Sequence, residues 1–159
     1  MNLKILLISD THGHTDKLGI LLEQYDGTVD MICHLGNSYK DIQKFSPGIP
    51  THFVHGNGDG GFDVPGEKII NFGKAKILLV HGHNHSVYDG MTRLYYYALR
   101  AGVDAAFVGH THVPHVSQES NIFIMNPGSL TQPRSGSKAS YGIVTYSPTH
   151  GFSGEVLHI

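Results

Sequence analysis

The sequence predicts an α/β fold with two β-sheets. The continuous apolar runs "LKILLIS" (residues 3–9) and "MICHL" (31–35) are typical of strands that are buried on both faces. A segment with helical spacing of apolar residues (16–25) separates them, a short helical segment (39–45) follows, and a third strand-like run lies at 51–56. This β-α-β-α-β order predicts a mainly parallel first sheet with right-handed crossovers.

The second half of the chain predicts a mixed second sheet. "EKIINF" (67–72) and "AKILLV" (75–80) flank a "GK" turn and predict a hairpin. Residues 91–102 show a helical pattern, with Gly102 well placed as its C-cap. Strand-like runs at 105–109, 115–126, 141–147 and 151–159 follow, and we expect the C-terminal strands to complete this second sheet. Since neither a linker nor a repeat interrupts the pattern, we expect a single domain over residues 1–159.

Composition limits the classes of function. Only 15% of the 159 residues are charged, which argues against a disordered chain, and the net charge of -2 does not favour bulk nucleic-acid binding. The N-terminal apolar run is too short for a membrane span and has no charged or cleavable flank, so we expect a cytoplasmic protein that does not bind membranes. The single cysteine, Cys33, is expected to be a buried strand residue.

Each predicted strand is followed by polar residues that are common metal ligands. They are Asp10 and His12 after the first strand, Asn37 after the second, Asn57 after the third, His81 and His83 after the fourth apolar run, and His110 and His112 after the fifth. Loops at the carboxyl ends of strands meet at one edge of an open α/β sheet. Imidazole and oxygen donors suit Mn, Fe, Ni and Zn. The two-residue spacings predict extended segments whose side chains lie on the same side.

Other histidines in this chain, which has thirteen, have simpler interpretations. His14, His52, His150 and His158 are expected to lie on the surface, and His34, inside a strand, is expected to be structural. His85 is expected at a helix start or on the surface.

Taken together, the motifs resemble those of the calcineurin-like metallophosphoesterases. They are Asp-x-His (10–12), Gly-Asn (36–37), Gly-Asn (56–57), His-Gly-His (81–83) and Gly-His-x-His (109–112). The short chain and the segment "NPGS…PR" (126–134) further resemble the small bacterial and archaeal phosphodiesterases of the MJ0936/YfcE type. The resemblance implies an αββα sandwich, in which two mixed sheets are flanked by helices.

The resemblance also implies a site for two divalent metal ions. Asp10, His12 and His112 would hold the first ion, Asn57, His81 and His110 the second, and residue 37 would bridge them. Mn is the expected metal, with Ni, Zn, Fe or Mg as alternatives. Two such ions activate a bound water and clamp the phosphoryl oxygens. The implied substrate is a small phosphodiester, with monoesters as the alternative.

Several nearby residues have candidate roles in substrate binding. Larger family members carry a His directly after the second Gly-Asn, but this chain has Gly58 there, so that general acid is missing. His83 is our candidate for phosphate contact or proton delivery. Asp59 would either orient a ligand or cap a turn, and Ser129 would either lie near the site or serve the loop. Arg134 would either meet a phosphate or face solvent. The run Tyr95–Tyr97 predicts one core face and one face for a homodimer contact.

Asn37 departs from the family pattern, which has Asp at this position. Asn keeps an oxygen donor but loses the charge that offsets the repulsion between two dications, so we expect weaker metal occupancy and slower hydrolysis. The change is either engineered, a natural variant that still binds metal, or a step toward the retromer scaffold subunit, a relative that also looks to carry Gly-Asn here. Since six of the seven implied ligands are retained, the sequence favours an enzyme over a scaffold.

Overall fold

The fold was analysed in a computed structural model that describes residues 2–45, 47–60 and 63–159. The elements, in chain order, are β1 (Leu3–Ile8), α1 (Asp16–Gln24), β2 (Met31–His34), α2 (Lys40–Gln43), β3 (Thr51–Phe53), β4 (Glu67–Phe72), β5 (Ala75–Val80), a 3-10 helix (Val87–Asp89), α3 (Thr92–Ala101), β6 (Ala105–Phe107), β7 (His115–Glu119), β8 (Ile122–Asn126), β9 (Ser140–Ser147) and β10 (Gly151–His158).

The strands form two five-stranded mixed sheets. The first has the order β10-β9-β1-β2-β3, with β1, β2 and β3 parallel and β9 antiparallel to β1. The second has the order β4-β5-β6-β8-β7, in which the outer strands β4 and β7 are antiparallel to their neighbours. The expectation that the C-terminal strands complete the second sheet was wrong. Strand β9 pairs instead with the edge of β1 that β2 leaves open, so the first sheet is mixed rather than mainly parallel.

Alternation along β1 shows how the layers form. Ile5 and Leu7 point into the core between the sheets, where Phe107 of the second sheet also packs. Leu6 and Ile8 point to the other face, in the cluster that includes Leu18 and Leu21 of α1. Both sets are fully buried, which explains why β1 is apolar along its whole length. The predicted αββα sandwich is confirmed.

Helix α3 covers the outer face of the second sheet. Leu94 and Ala98 are buried in a cluster with residues of β5, β6 and β8. The helix ends, as predicted, at Gly102, whose φ of 72° lies in the left-handed region. Of its exposed residues, Tyr96 and Leu99 are each 53% exposed. The homodimer contact remains a prediction for this face.

Two further sequence expectations concern the rest of the molecule. Cys33 is fully buried, and this burial raises the pKa of its thiol to about 12. Within the described ranges, no helix combines the length and apolar character needed to cross a membrane.

Candidate metal centre

Three of the predicted ligands meet where β1 ends. Asp10 is fully buried, and its Oδ1 lies 3.2 Å from Nε2 of His112 and 3.6 Å from Nε2 of His12. One ligand atom from each residue lies within 4.8 Å of those of the other two. Asp10, His12 and His112, the residues predicted for the first ion, are therefore arranged so that one cation can reach all three.

The two oxygens of Asp10 have different surroundings. Oδ2 accepts hydrogen bonds from the Ser9 hydroxyl at 2.6 Å and from the His110 backbone N–H at 3.0 Å. Oδ1 has no partner with hydrogen-bond geometry among the described residues, although imidazole nitrogens surround it. A buried carboxylate oxygen without a partner is costly. A divalent cation would satisfy it, and the mixed oxygen and imidazole donors suit such an ion.

Electrostatics keep Asp10 ionised. Burial by itself would raise the pKa of this carboxyl group, but the close imidazoles of His112, His12 and His81 outweigh burial and hold the pKa well below its ordinary range. Only the ionised carboxylate is a good metal ligand, so Asp10 is ready to bind a cation at neutral pH.

A second pair of predicted ligands lies beside the first group. His110 Nδ1 is 3.2 Å from His81 Nε2, and His81 Nε2 is 3.8 Å from Asp10 Oδ1. Burial lowers the pKa of both imidazoles, which favours the neutral form that binds metals. Oδ1 of Asp10 thus faces both histidine groups.

Backbone carbonyls orient two of these imidazoles. His81 Nδ1 lies 2.8 Å from the carbonyl oxygen of Leu35, and His112 Nδ1 lies 2.6 Å from that of Gln132. If Nδ1–H donates to the carbonyl, Nε2 has its lone pair free and points toward Asp10. Such an arrangement is the usual support for a histidine that ligates a metal.

The structure places the two asparagines differently. Asn37 is 6% exposed, and its carboxamide Oδ1 accepts the Gly58 N–H at 2.8 Å. Gly56 fits between this carboxamide and the His81 ring, where a Cβ would collide with both, so Asn37 lies next to the second histidine pair. Asn57, by contrast, is exposed on the loop after β3.

The ligand loops are not extended, so one sequence argument was wrong. The φ angles are 55° at Asp10, 49° at His12, 72° at His110 and 61° at His112, all in the left-handed region. The ligands therefore converge through tight turns rather than through strand alternation. Asn37 also has a positive φ, 57°, and its carbonyl oxygen accepts the N–H of His12 at 3.2 Å. Such sparsely populated conformations tend to cluster at functional sites.

Asp59 is engaged by the protein backbone. Its carboxylate accepts N–H groups from Asn37 at 2.9 Å, Ser38 at 2.8 Å and Gly56 at 2.7 Å. Of the two roles expected for Asp59, this arrangement favours the capping of a turn over contact with a ligand.

His83 lies beside the centre without joining the Asp10 group. Its ring centroid is 5.5 Å from that of His81 and 6.3 Å from that of His110, and its buried Nδ1 has no hydrogen-bond partner among the described residues. Burial, followed by the nearby His110, His55 and His85, lowers the pKa of His83. The neutral ring can accept a proton or a hydrogen bond at pH 7, whereas it is poorly suited to donate a proton as an acid.

Residues of the "NPGS…PR" segment support the centre from the side. The Ser129 hydroxyl donates to the Asp10 carbonyl at 2.8 Å, which favours the loop-structure interpretation of Ser129. The Arg134 backbone N–H donates to the His112 carbonyl at 3.2 Å. Its side chain is exposed and donates through Nη1 to the Tyr88 hydroxyl at 2.7 Å.

Sequence reasoning missed a buried network beneath the first ligand loop. His34 Nδ1 accepts the Gly36 N–H, so Nε2–H donates to the Thr11 hydroxyl at 3.0 Å, and that hydroxyl donates to Asp41 at 2.7 Å. Asp41 also accepts the Gly13 N–H at 2.8 Å. In the sequence Asp41 looks like an ordinary polar residue of a short helix, and only its 3% exposure reveals the role.

The histidines outside the centre lie largely as expected. His34 is fully buried in β2, whereas His14, His150 and His158 are exposed. His52 is partly buried beside Lys68, with 2.9 Å between its Nδ1 and Nζ. His85 packs on Tyr97 of α3, with ring centroids 4.7 Å apart.

An αββα sandwich that carries an Asp and His centre at its strand ends defines a metallophosphoesterase fold. The chain belongs to the calcineurin-like phosphoesterase superfamily, whose domain matches residues 3–149. Among curated proteins, it is similar to the probable metallophosphoesterase YsnB of Bacillus subtilis, with 32% identity over 90% of this chain and 84% of that protein.

Solved structures agree with this family. A predicted phosphoesterase from Streptococcus pneumoniae superposes with a TM-score of 0.86 at 28% identity, covering 99% of this chain and 90% of that one. YfcE, a phosphoesterase from E. coli, shares the fold with a TM-score of 0.71 at 21% identity, covering 99% and 100% of the two chains. Vps29 from Entamoeba histolytica, complexed with zinc, also shares it, with a TM-score of 0.72 at 20% identity and 98% coverage of both chains. The predicted family resemblance is therefore confirmed.

Proposed function

We propose that this protein is a metal-dependent hydrolase of small phosphodiesters that uses a two-metal centre. The observation that carries the proposal is the buried, ionised Asp10, whose unpartnered Oδ1 faces imidazole nitrogens of His12, His81 and His112 at 3.2–3.8 Å. Asp10, His12 and His112 would hold the first ion. His81 and His110 would hold the second, assisted by the amide oxygens of Asn37 and Asn57. We propose Mn, with Ni, Zn, Fe or Mg as alternatives, and the cytoplasm as the compartment.

When bound, a pair of divalent ions would supply an activated water and stabilise charge on the phosphoryl oxygens. The protein contributes a fixed arrangement of ligands for them. Carbonyl groups of Leu35 and Gln132 fix the rings of His81 and His112, and Ser9 holds the second oxygen of Asp10. Such preorganisation is favourable because the ligands need little rearrangement during the reaction.

His83 is our candidate for the contact with the substrate phosphate. Its ring adjoins both His81 and His110, and its Nδ1 has no partner in the described part of the chain. With a lowered pKa, the neutral ring is better placed to donate its N–H to a phosphoryl oxygen, or to accept a hydrogen bond from a water, than to protonate the leaving group. A leaving group of low pKa, such as a phenol, requires no such proton.

Asn37 favours a second candidate function, a binding or scaffold protein on the same fold. Loss of the bridging charge weakens the second metal position, and the fold also occurs in Vps29, a vacuolar protein sorting protein. Against this alternative stands the first ligand group, Asp10, His12 and His112, which includes no side-chain atom of Asn37.

Hydrolysis of bis(p-nitrophenyl) phosphate tests the proposal. Protein stripped with a chelator is titrated with Mn(II), and the wild type is compared with Asn37→Asp and with Asp10→Ala. We expect turnover that depends on Mn(II), is higher in Asn37→Asp and is lost in Asp10→Ala. Turnover in Asn37→Asp but not in the wild type would show that Asn37 alone makes the metal centre inactive. If neither the wild type nor Asn37→Asp shows turnover with any of the proposed metals, the scaffold function is favoured instead. A parallel assay with p-nitrophenyl phosphate would identify a monoesterase.

A further inference from the structure

Two exposed side chains contact each other at the rim of the metal centre. Arg134 Nη1 donates to the Tyr88 hydroxyl at 2.7 Å, and that hydroxyl donates to the carbonyl oxygen of His110 at 3.3 Å. The phenol ring packs against the His110 imidazole with centroids 4.8 Å apart and an interplanar angle of 61°. The Tyr88 hydroxyl thus both accepts and donates a hydrogen bond, although the residue as a whole is 60% exposed.

The pair is anchored at both of its ends. Tyr88 is joined to His110, and the backbone N–H of Arg134 is joined to the carbonyl oxygen of His112. These two histidines belong to different ligand groups of the centre. An exposed aromatic ring is normally free to change rotamer, but this one is held at its ring and its hydroxyl. The fixed orientation is an arrangement suited to binding a ligand with little loss of entropy.

A cleft of about 360 Å³ lies directly beside this pair. Tyr88 and Arg134 form part of its wall, together with the apolar side chains of Val87, Met91, Val113 and Pro114. Thr111, the residue between the two ligating histidines, also lines it. The cleft therefore combines an exposed aromatic ring, an apolar wall and one cationic group immediately next to the candidate metal ligands.

We propose that this cleft is the subsite for a flat aromatic ester group of the substrate, with Tyr88 as its specificity-determining residue. The inference rests on the proposed function, because a phosphoryl group held at the metals would extend its ester substituent past Tyr88. The substituent stacks on the Tyr88 ring, and the guanidinium of Arg134 contacts an anionic phosphoryl oxygen. The protein therefore prefers aryl phosphoesters, or those that carry a nucleobase, over simple alkyl esters.

Equilibrium binding of two phosphonates tests this subsite without turnover. Calorimetric titrations of Mn(II)-loaded protein give dissociation constants for phenylphosphonate and methylphosphonate, whose P–C bonds a phosphoesterase does not cleave. We expect phenylphosphonate to bind about tenfold more tightly to the wild type, the order of magnitude of one aromatic stacking contact. Tyr88→Leu is expected to remove this preference, and Arg134→Gln to weaken both ligands by a similar factor.

Tyr96→Leu is the matched control, because Tyr96 is a tyrosine of similar exposure on α3, 53% against 60% for Tyr88, outside the lining of this cleft. It should keep the wild-type preference. An equal affinity of the wild type for the two phosphonates, binding of neither, or a preference unchanged in Tyr88→Leu would overturn the subsite. If the preference depends on Tyr88 but no ester is hydrolysed with any metal, the subsite stands and the proposed hydrolase function fails. If esters are hydrolysed while Tyr88→Leu retains the preference, the proposed hydrolase function stands and the subsite fails.

Discussion

The carboxylate of Asp59 accepts the backbone N–H of Asn37 at 2.9 Å. Through the same carboxylate, the N–H groups of Ser38 and Gly56 are also bound, so one side chain ties the loop after β2 to the loop after β3. Both loops carry candidate ligands of the second metal position. The conformation of Asn37, including its φ of 57°, therefore depends on a residue for which the sequence left two roles open, orienting a ligand or capping a turn.

Replacement of Asp59 should destabilise the fold. In Asp59→Asn, one of the two carboxylate oxygens is replaced by an NH₂ group. This group is itself a donor, so it cannot accept hydrogen bonds from the backbone N–H groups that face it. Hydrogen bonds to charged groups contribute about 2 kcal/mol, so we expect a loss of that order in the free energy of unfolding, measured with urea. Asp26→Asn, at an exposed aspartate after α1, is the control and should change little. Equal urea midpoints for the wild type and Asp59→Asn would contradict the capping role.

Binding of Mn(II) should stabilise the protein through Asp10. An ion at Oδ1 removes the cost of a buried oxygen without a partner, and a ligand at a hundred times its Kd adds about 2.7 kcal/mol. For a chain of this size, we expect a rise in Tm of roughly 5–10 °C by scanning calorimetry after chelator treatment. Asp10→Asn should lose the shift, whereas Asp104→Asn, at a carboxylate that accepts the Lys76 N–H, should keep it. A shift retained in Asp10→Asn would place the metal elsewhere.

Stability should fall in acid because of His34. Burial lowers the pKa of this imidazole to about 4, from 6.5 in the unfolded chain. Above pH 6.5 both states are neutral and the group has no effect. Between pH 6.5 and about 4 only the unfolded state takes up the proton, so stability decreases as the pH falls, by about 3 kcal/mol in total, and the loss ends below the folded pKa.

His34→Gln isolates this contribution from that of the other histidines. Urea unfolding of the metal-free variant at pH 7 and pH 4.5 should show a smaller pH-dependent loss than the wild type, although the variant is less stable at pH 7 since the Thr11 and Gly36 contacts change. NMR titration of the His34 ring carbons provides the direct measurement. A midpoint near pH 6.5 in the folded protein would show that His34 is protonated without penalty.

The sequence was informative where local pattern decides the structure. The strand β1 is apolar throughout because both of its faces are buried. The ligands after β1 lie near that after β2, and those after β5 lie near those after β6, because the carboxyl ends of parallel strands lie together within each sheet. Gly102 ends α3 because only a residue tolerant of positive φ fits there. Each of these features depends on a few neighbouring residues and one general rule.

Features that depend on distant partners could not be predicted. The pairing of β9 with β1 is a choice between two sheet edges, and the sequence of β9 is compatible with either. Asp41 and Tyr88 act through contacts with Thr11 and His110, which are 30 and 22 positions away along the chain. The left-handed turns at the ligands likewise arise from hydrogen bonds between loops, such as that from Asp10 N–H to the Gly36 carbonyl.

The number of metal ions bound should depend on Asn37. Asp10 is the one carboxylate in the ligand group found among the described residues, and its Oδ1 already faces both histidine sets. Two dications separated by about 4 Å repel strongly, and the neutral Asn37 does not offset this repulsion. We therefore expect calorimetry with Mn(II) to give one tight ion in the wild type, with the second weaker by at least tenfold. Asn37→Asp keeps the acceptor for Gly58 N–H and tolerates the positive φ, so it should bind two ions tightly.

Asn121→Asp, at an exposed turn, controls for added charge. Two equally tight ions in the wild type would show that the bridging charge is dispensable here, and one ion in Asn37→Asp would show that residue 37 does not reach the second position.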